Sequence, residues 1–133
     1  EALSVYVSGG VEWSKTQTHL VQFFARAAYH RDSTLSERLV RPIATIMRET
    51  VHDILVQAAA RGEIRDDVDL EATARVIYAA MVATGDAQLL PYLDAYFQIA
   101  DGGTVASRTL DALVDLILHG IAQDNPQQEP KAQ

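Results

Sequence analysis

Apolar residues recur at steps of three and four over most of the chain, which is the spacing of one face of an α-helix. This pattern predicts amphipathic helices over residues 13–31 and 36–61. Pro42 lies inside the second of them, where it removes a backbone hydrogen bond and crowds the preceding turn. We therefore expect a kink near residues 38–41, or a short helix followed by a new one. Residues 5–7 are the only β-like run.

The segment that follows Asp69 is apolar or small on every side, most clearly over residues 76–83. A helix without a polar face is surrounded by protein, so this segment is predicted to be the central helix. Its polar residues Thr73, Tyr78 and Thr84 then need hydrogen-bond partners or must face a cavity.

Two more helices are predicted over residues 88–100 and 104–123. The apolar surface of the last one is wider than one domain's core requires. We therefore expect these last two helices to form an antiparallel pair and, with a second copy of the chain, a four-helix bundle at a dimer interface. The predicted fold is an all-α antiparallel bundle of five to six helices over residues 1–123, with a disordered tail over 124–133. The predicted dimer interface consists of Leu89, Leu93, Tyr96, Phe97, Leu110, Leu113, Val114, Ile117 and Ile121.

The loop between the second and the central helix has the composition of a defined corner. Gly62 can adopt the left-handed conformation that ends a helix, and Asp67 and Asp69 can accept hydrogen bonds from the free amides of the next helix. Ile64 and Val68 are apolar in this charged segment, so we expect both side chains to pack against the flanking helices.

Composition excludes several classes of function. The chain has 133 residues, 48% of them hydrophobic, which suffices for one domain with a core. A net charge of −7 argues against direct binding of nucleic acid. No segment is long and apolar enough to predict a membrane span. The chain has no cysteine, which fits a cytoplasmic location.

Neither a metal site nor a catalytic site is predicted. The acidic run from Asp66 to Asp69 has the spacing of helix caps and not of a calcium loop. The histidines are not paired at the spacing of metal ligands. Serine stands in no nucleophile elbow, and the carboxylates fall on polar faces or in loops. We therefore expect no enzyme activity and no cofactor.

Aromatic and sulfur-containing side chains on the first three main helices indicate a mostly apolar ligand pocket, because such clefts form readily between the helices of a bundle. Each of these residues taken singly is also typical of an ordinary core. His19 and Tyr78 are the expected polar anchors. The complete predicted pocket consists of Trp13, His19, Phe23, Phe24, Met47, Val51, Tyr78, Met81 and Tyr92.

Two segments resemble the C-terminal effector-binding and dimerisation domain of TetR-family transcriptional regulators. They are E-R-L-V-R-P at residues 37–42 and A-A-R-G-E-I-R-D-D-V-D-L at residues 59–70. The resemblance implies a homodimer in which a small apolar or amphipathic effector changes the affinity of a repressor for operator DNA. The family's pocket residues vary too much to be transferred by motif.

The helix-turn-helix domain of such regulators has no counterpart in these residues, so contact with DNA is expected only through an N-terminal domain absent from this sequence. Residues 1–8 fit the end of the helix that would connect it. The alternative function is a helical protein-interaction or scaffold module without a small ligand, whose surplus apolar surface binds another protein.

Overall fold

The computed structural model describes residues 2–31, 33–99 and 106–123, and these form helices without a β-strand. The prediction of an all-α bundle is confirmed. In chain order the elements are α1 (Ala2–Thr16), α2 (Thr18–Ala28), α3 (Ser33–Leu35), a π-helical segment (Ser36–Val40), α4 (Arg41–Ala60), α5 (Leu70–Leu89), α6 (Pro91–Phe97) and α7 (Ala106–Ile121).

The β-like prediction for residues 5–7 is wrong, because these residues lie inside α1. Leu3 and Val7 are both buried, and their spacing of four residues puts them on one face of a helix. A run of three consecutive apolar residues is too short to distinguish the two-residue period of a strand from the 3.6-residue period of a helix.

The predicted helix over residues 13–31 is two helices, because the chain bends at Gln17. Hydroxyl groups on both sides of this bend donate to helix carbonyls: Thr16 Oγ1 to the oxygen of Trp13 at 2.9 Å, and Thr18 Oγ1 to that of Ser14 at 3.0 Å. Such hydrogen bonds compete with the backbone ladder and often bend helices.

The irregularity expected near residues 38–41 is present as a wide π-helical segment over Ser36–Val40, which joins the short α3 to α4. The backbone is helical on both sides of this segment. Because Pro42 has no amide to donate, a carbonyl of the preceding turn loses its partner within the helix.

The corner between α4 and α5 is built as predicted at Gly62 and Asp69. Gly62 has a φ of +72°, and the amides of Gly62 and Glu63 donate to the oxygens of Ala59 and Ala58 at 2.9 and 3.0 Å. This is the Schellman arrangement, which satisfies the last carbonyls of a helix. Asp69 caps α5 by accepting from the amide of Ala72 at 3.0 Å.

Of the other residues predicted to shape the corner, Asp67 does not cap a helix, whereas Ile64 and Val68 pack as expected. Asp67 caps nothing; its carboxylate accepts a hydrogen bond from Arg65 Nε at 3.1 Å. Ile64 is buried, and Val68 packs against the same core, as predicted.

A contact not predicted from the sequence joins this corner to the end of α7. The amide of Arg65 donates to the oxygen of Ile121 at 3.1 Å, and that of Gln123 donates to the oxygen of Glu63 at 2.9 Å. Arg65 Nη1 also donates to the oxygen of Gly120 at 2.6 Å, next to the negative end of the helix dipole. The corner therefore holds three helices together.

The hydrophobic core lies between α4, α5 and the start of α1, and its buried members are Leu3, Val51, Leu55, Ile64, Ala74 and Ile77. Around it, α5 packs against α2, α4, α6 and α7, so this helix is central as predicted. Every residue from 80 to 90 is at least partly buried. The prediction of burial on all sides is wrong for the first half of α5, where Val76 is 68% exposed and Ala72 and Ala79 are exposed too.

The predicted boundary between the central helix and the next was placed too early. Gln88 and Leu89 still belong to α5, and α6 begins at Pro91 and ends at Phe97, followed by Gln98 with a φ of +53°. Within the described residues α7 packs chiefly along α5. Apolar periodicity alone could not specify which helices were neighbours.

Parts of two predictions lie outside the described residues. They are residues 100, 104 and 105 of the last two predicted helices and the predicted tail over 124–133. Within the ranges that are described, no helix combines the length and the apolar character needed to cross a membrane.

Gly62→Ala is expected to lower the free energy of unfolding by about 1–2 kcal/mol, because a Cβ is unfavourable at a left-handed φ. No atom lies within 4 Å of the added Cβ, so the cost comes from backbone conformation alone. Urea unfolding of the purified chain measures it.

Gly10→Ala is the matched control. Gly10 lies in α1 with equally open space around it, so alanine there is expected to stabilise by up to about 1 kcal/mol. Equal effects of the two substitutions would contradict the left-handed cap.

Candidate functional site

The residues predicted to form one pocket lie in three different environments. Val51 is fully buried and packs in the core with Leu55 and Ile77, so it has no surface for a ligand. Met47 is half-buried in α4, and Met81 is half-buried against the core. These three residues form one side of the bundle interior.

A second group lies on the outside of the α1–α2 hairpin. Trp13 is 52% exposed, Phe23 is 57% exposed, and His19 is exposed on the same side of α2 as Phe23. Leu20 is also exposed there, whereas Phe24 is half-buried. Together Trp13, Leu20 and Phe23 leave apolar surface on this hairpin without cover from the described residues.

The third group surrounds the second half of α5. Tyr78 and Asp86 project from α5, Tyr6 from α1, Tyr29 from the residue after α2, and Tyr92 from α6. We call these five residues the tyrosine–aspartate cluster. Only Tyr78 and Tyr92 were predicted from the sequence.

Electrostatic effects between these side chains show that they are neighbours. Burial, followed by the negative charge of Asp86 and by Tyr6, raises the pKa of Tyr78. Burial, a hydrogen bond to Asp86 and the fields of Asp86 and Tyr92 raise the pKa of Tyr29 to about 12. Burial alone raises the pKa of Tyr6. The phenols of Tyr6, Tyr29 and Tyr78 therefore remain protonated at neutral pH, and the Tyr29 hydroxyl donates a hydrogen bond to Asp86.

Asp86 is the charged residue of the cluster. Its carboxylate accepts a hydrogen bond from the Tyr29 hydroxyl, but partial burial outweighs that bond and raises the pKa of Asp86. Among the described residues, no arginine, lysine or histidine nitrogen lies within 4.0 Å of its carboxylate. This half-buried carboxylate has one neutral donor and lacks a cationic partner.

Hydrogen bonds hold the helices around the cluster in place. Gln22 Nε2 of α2 donates to the oxygen of Leu89 at 3.1 Å, which satisfies a carbonyl at the end of α5. The buried Thr84 hydroxyl donates to the oxygen of Ala80 at 2.8 Å within α5. Thr84 thus has the partner that its burial requires, and it is not free to bind a ligand.

The enclosed space found among the described residues has no member of the cluster in its lining. A cavity of about 210 Å³ is formed where α1, α4, α7 and the corner meet, and its lining includes Leu55, Ile64 and Leu118. Arg61 and Glu63 also line it and an adjoining open cleft of about 720 Å³, which reaches Tyr6.

We favour the tyrosine–aspartate cluster over this cavity as the site. The Arg61 and Glu63 side chains already pair with each other at 2.6 Å and are exposed, so they provide no unsatisfied anchor. The cavity alone is smaller than the roughly 300–1,000 Å³ typical of ligand sites, and the larger cleft beside it is open. The cluster combines the half-buried Tyr78 and Asp86 with Tyr29 and Tyr92, which are 46% and 61% exposed, so aromatic surface and a carboxylate occur together there.

The position of Asp86 in the sequence could have marked it as a candidate, although the spacing of apolar residues does not use it. It is the only charged residue between Arg75 and Asp94, in a segment otherwise made of apolar, small or uncharged side chains. An isolated charge in a buried helix marks a candidate site. Tyr6 and Tyr29 carried no comparable signal, because their partners come from distant parts of the chain.

The predicted dimer residues are distributed unevenly over the surface. Leu89, Leu93 and Phe97 are half-buried within the chain, whereas Tyr96 is 84% exposed. Those on α7 are half-buried too; they are Leu110, Leu113, Val114, Ile117 and Ile121. The exposed apolar residue of α7 is Leu116, at 73%.

The acidic segment at the corner gives no metal centre. Within the described ranges no three histidine, aspartate or glutamate side chains are grouped as ligands of an ion would be. His52, on α4, lies 3.8 Å from a carboxylate oxygen of Glu71 in an exposed ion-pair group with Arg48 and Arg75.

Comparison with known proteins gives one match. The family described as Tetracyclin repressor-like, C-terminal domain matches residues 13–98, which include α2, α4, α5, α6 and four members of the cluster. Neither the curated proteins nor the solved structures gave a match.

Asp86→Asn is expected to stabilise the protein near neutral pH. The pKa of Asp86 is raised on folding, so the folded protein binds this proton more tightly than the unfolded chain, and stability falls as pH rises through the folded pKa. Asparagine removes that cost and keeps an oxygen for the Tyr29 hydroxyl. We expect the melting temperature to rise by about 1–4 °C near pH 7.

The gain should shrink as the pH falls through the raised pKa of folded Asp86, and it should be absent below about pH 4, where the aspartate is protonated in the folded and the unfolded chain alike. Asp66→Asn, in the exposed corner, removes the same charge and should leave the melting temperature unchanged. A lower melting temperature for Asp86→Asn at neutral pH would contradict the desolvated carboxylate.

Proposed function

Because the chain belongs to the family of tetracyclin repressor-like C-terminal domains, we propose that it is the effector-binding and dimerisation domain of a TetR-like transcriptional repressor. Its effector is a small, mostly apolar molecule that binds at the second half of α5. The effector changes the arrangement of a homodimer and so controls an N-terminal DNA-binding domain.

The tyrosine–aspartate cluster carries this proposal. It draws side chains from α1, α5, α6 and the end of α2 and includes a half-buried carboxylate, at the part of α5 where every residue is at least partly buried. A ligand inserted among these side chains contacts four helices at once. Its contacts therefore differ between two arrangements of these helices. Control of a distant domain requires such a difference.

The exposed first half of α5 supports the homodimer. Val76 of α5 and Leu116 of α7 are the exposed aliphatic residues of two helices that pack against each other, and Ala72, Ala79 and Ala112 lie exposed beside them. Small side chains allow a second pair of helices to approach closely. We propose that α5 and α7 meet their copies there in a four-helix bundle.

This arrangement links the effector to the dimer through one helix. The same α5 holds Asp86 in its second half and the proposed interface in its first half. A displacement of α5 by the effector therefore changes the angle between the two protomers. The net charge of −7 fits a regulatory domain that does not itself bind operator DNA.

A protein-interaction module without a small ligand is the second candidate. The exposed apolar surface of Trp13, Leu20 and Phe23 favours it, because such patches often bind other proteins. Under this alternative the α1–α2 hairpin is the functional surface, and the cluster is a structural contact.

A thermal-shift screen with lipids, acyl thioesters and aromatic compounds separates the two candidates. We expect at least one compound to bind and to stabilise the chain, by about 2.7 kcal/mol at a concentration 100-fold above its dissociation constant. Tyr78→Phe and Met81→Ala are expected to weaken binding of that compound by roughly three- to thirtyfold, since a lost hydrogen bond or buried thioether costs about 1–2 kcal/mol.

Tyr96→Phe is the control for Tyr78→Phe, because Tyr96 loses the same hydroxyl at a highly exposed position. It should bind the compound like the wild type. Unchanged affinity in both Tyr78→Phe and Met81→Ala would exclude the second half of α5 as the effector site.

The proposed interface is tested by the mass of the chain in solution at micromolar concentration. The wild type is expected to be a dimer. Val76→Glu and Leu116→Asp are expected to weaken the dimer at least about 100-fold, because each buries an unpaired charge. In one protomer both side chains are exposed, so both variants should still fold.

Tyr96→Asp tests the contribution of α6. On the arrangement proposed above it should remain dimeric. Dissociation by Tyr96→Asp but not by Val76→Glu would move the interface from α5 to α6, and a monomeric wild type would exclude the homodimer.

A further inference from the structure

We propose that the cavity where α1, α4, α7 and the corner meet is a second binding site. Its ligand is a small neutral apolar molecule, about the size of one aromatic ring, and the bound molecule holds α7 against the corner. The described lining of this cavity shares no residue with the tyrosine–aspartate cluster. The inference is therefore independent of the effector site proposed above, and its failure would leave that site untouched.

The volume of the cavity sets the size of the ligand. It measures about 210 Å³, and a protein cavity of about 150 Å³ lined by leucine, isoleucine and phenylalanine side chains binds benzene. The space here therefore holds one ring with a short alkyl substituent. A larger ligand has to extend into the adjoining open cleft.

The lining sets the polarity of the ligand. Apart from Arg61 and Glu63, every described lining residue is aliphatic, and Leu3, Ile54 and Leu118 are among them. Arg61 and Glu63 also line the open cleft, and their side chains already pair with each other at 2.6 Å. A charged ligand would lose its hydration here without gaining a partner, whereas an apolar ligand replaces water that has few polar groups to bind.

The position of the cavity connects its ligand to α7. Leu118 and Ile121 contribute to the lining from α7, Leu55 contributes from α4, and Ile64 contributes from the corner. A molecule bound among these side chains adds apolar contacts across the junction of the three elements. Those contacts are lost when α7 separates from the corner, so binding favours the docked position of α7.

Backbone hydrogen bonds mark this docked position. The amide of Arg65 in the corner donates to the oxygen of Ile121, and the amide of Gln123 donates back to the oxygen of Glu63. Both bonds join α7 or the residues after it to the corner, so both amides lose their partners when α7 separates. They therefore report on the effect of the ligand.

Methyl resonances of the isoleucines locate the ligand when benzene is added to the wild-type chain. Ile54, Ile64 and Ile121 line the cavity, whereas Ile43 and Ile46 lie outside its described lining and are 40% and 64% exposed. We expect a dissociation constant of about 1 mM or below, with shifts of the first three resonances and none of the other two. Unchanged resonances of the three cavity residues at about 10 mM benzene would overturn the proposal.

Benzoate and benzylammonium test the neutral class of the ligand. Each carries a ring of the same size with a charge, which the aliphatic lining leaves without a partner. We expect both ions to bind at the cavity isoleucines at least about tenfold more weakly than benzene. Affinity of either ion equal to that of benzene would contradict a neutral ligand.

Ala58→Leu tests the cavity itself. Ala58 is part of the lining, and the added carbons fill the space of the ligand, so benzene should bind at least about tenfold more weakly. The matched control is Ala60→Leu, which adds the same carbons at an exposed position of α4 and should bind benzene like the wild type. Ala58→Val, with a smaller side chain, replaces Ala58→Leu if circular dichroism shows that leucine prevents folding. Full benzene affinity in a folded Ala58 variant would exclude the cavity as the site.

Amide hydrogen exchange tests the effect on α7. At a benzene concentration about tenfold above its dissociation constant, the amides of Arg65 and Gln123 should exchange roughly tenfold more slowly, because separation of α7 must first release the ligand. The amide of Gln98, which donates to the oxygen of Asp94 at the end of α6, is the control and should be unaffected. Equal exchange of Arg65 and Gln123 with and without bound benzene would overturn the action on α7.

Discussion

The packing of α4 against α5 is the constraint on which the rest of the structure depends. Ala74 has no exposed surface, and its small side chain lets α5 approach Val51 and Leu55 closely. The Schellman turn at Gly62 and the Asp69 cap set the direction in which α5 leaves the corner. Once α5 is held in this position, α2 and α6 can cover its second half, and α7 can pack along its first half.

This arrangement divides α5 into two parts with different roles in the proposed function. The second half is enclosed and contains Asp86, a carboxylate that the described protein leaves without a cation. The first half shows Val76 to solvent beside Leu116 of α7. A packed helix moves as a rigid unit, so a ligand at one end of α5 can alter contacts at the other end. The effector site and the dimer interface are thus coupled by a single element.

Local chemistry was predictable from the sequence, and contacts between distant segments were not. The end of α4 at Gly62, the Asp69 cap and the irregularity before Pro42 each depend on residues a few positions apart. Sequence patterns therefore predict them. The hydrogen-bond partner of Asp86 is Tyr29, more than fifty residues earlier in the chain, and no spacing rule connects the two. Val51 was assigned to a pocket because apolar periodicity marks a buried face without distinguishing core from cleft. Apolar periodicity also does not identify which helices are neighbours, so the sequence prediction paired α7 with α6, whereas α7 packs chiefly along α5.

The site itself is tested most directly by nuclear magnetic resonance of the aromatic side chains. The chain has five tyrosines and one tryptophan, so selective ring labelling gives six reporters. Tyr6, Tyr29, Tyr78 and Tyr92 lie in the cluster, Tyr96 lies one turn beyond Tyr92 on α6, and Trp13 lies exposed on the α1–α2 hairpin. On addition of a bound effector, the account predicts large shifts for Tyr29, Tyr78 and Tyr92, with Trp13 unchanged. Shifts confined to Trp13, or to Tyr6 beside the Arg61 cleft, would contradict it.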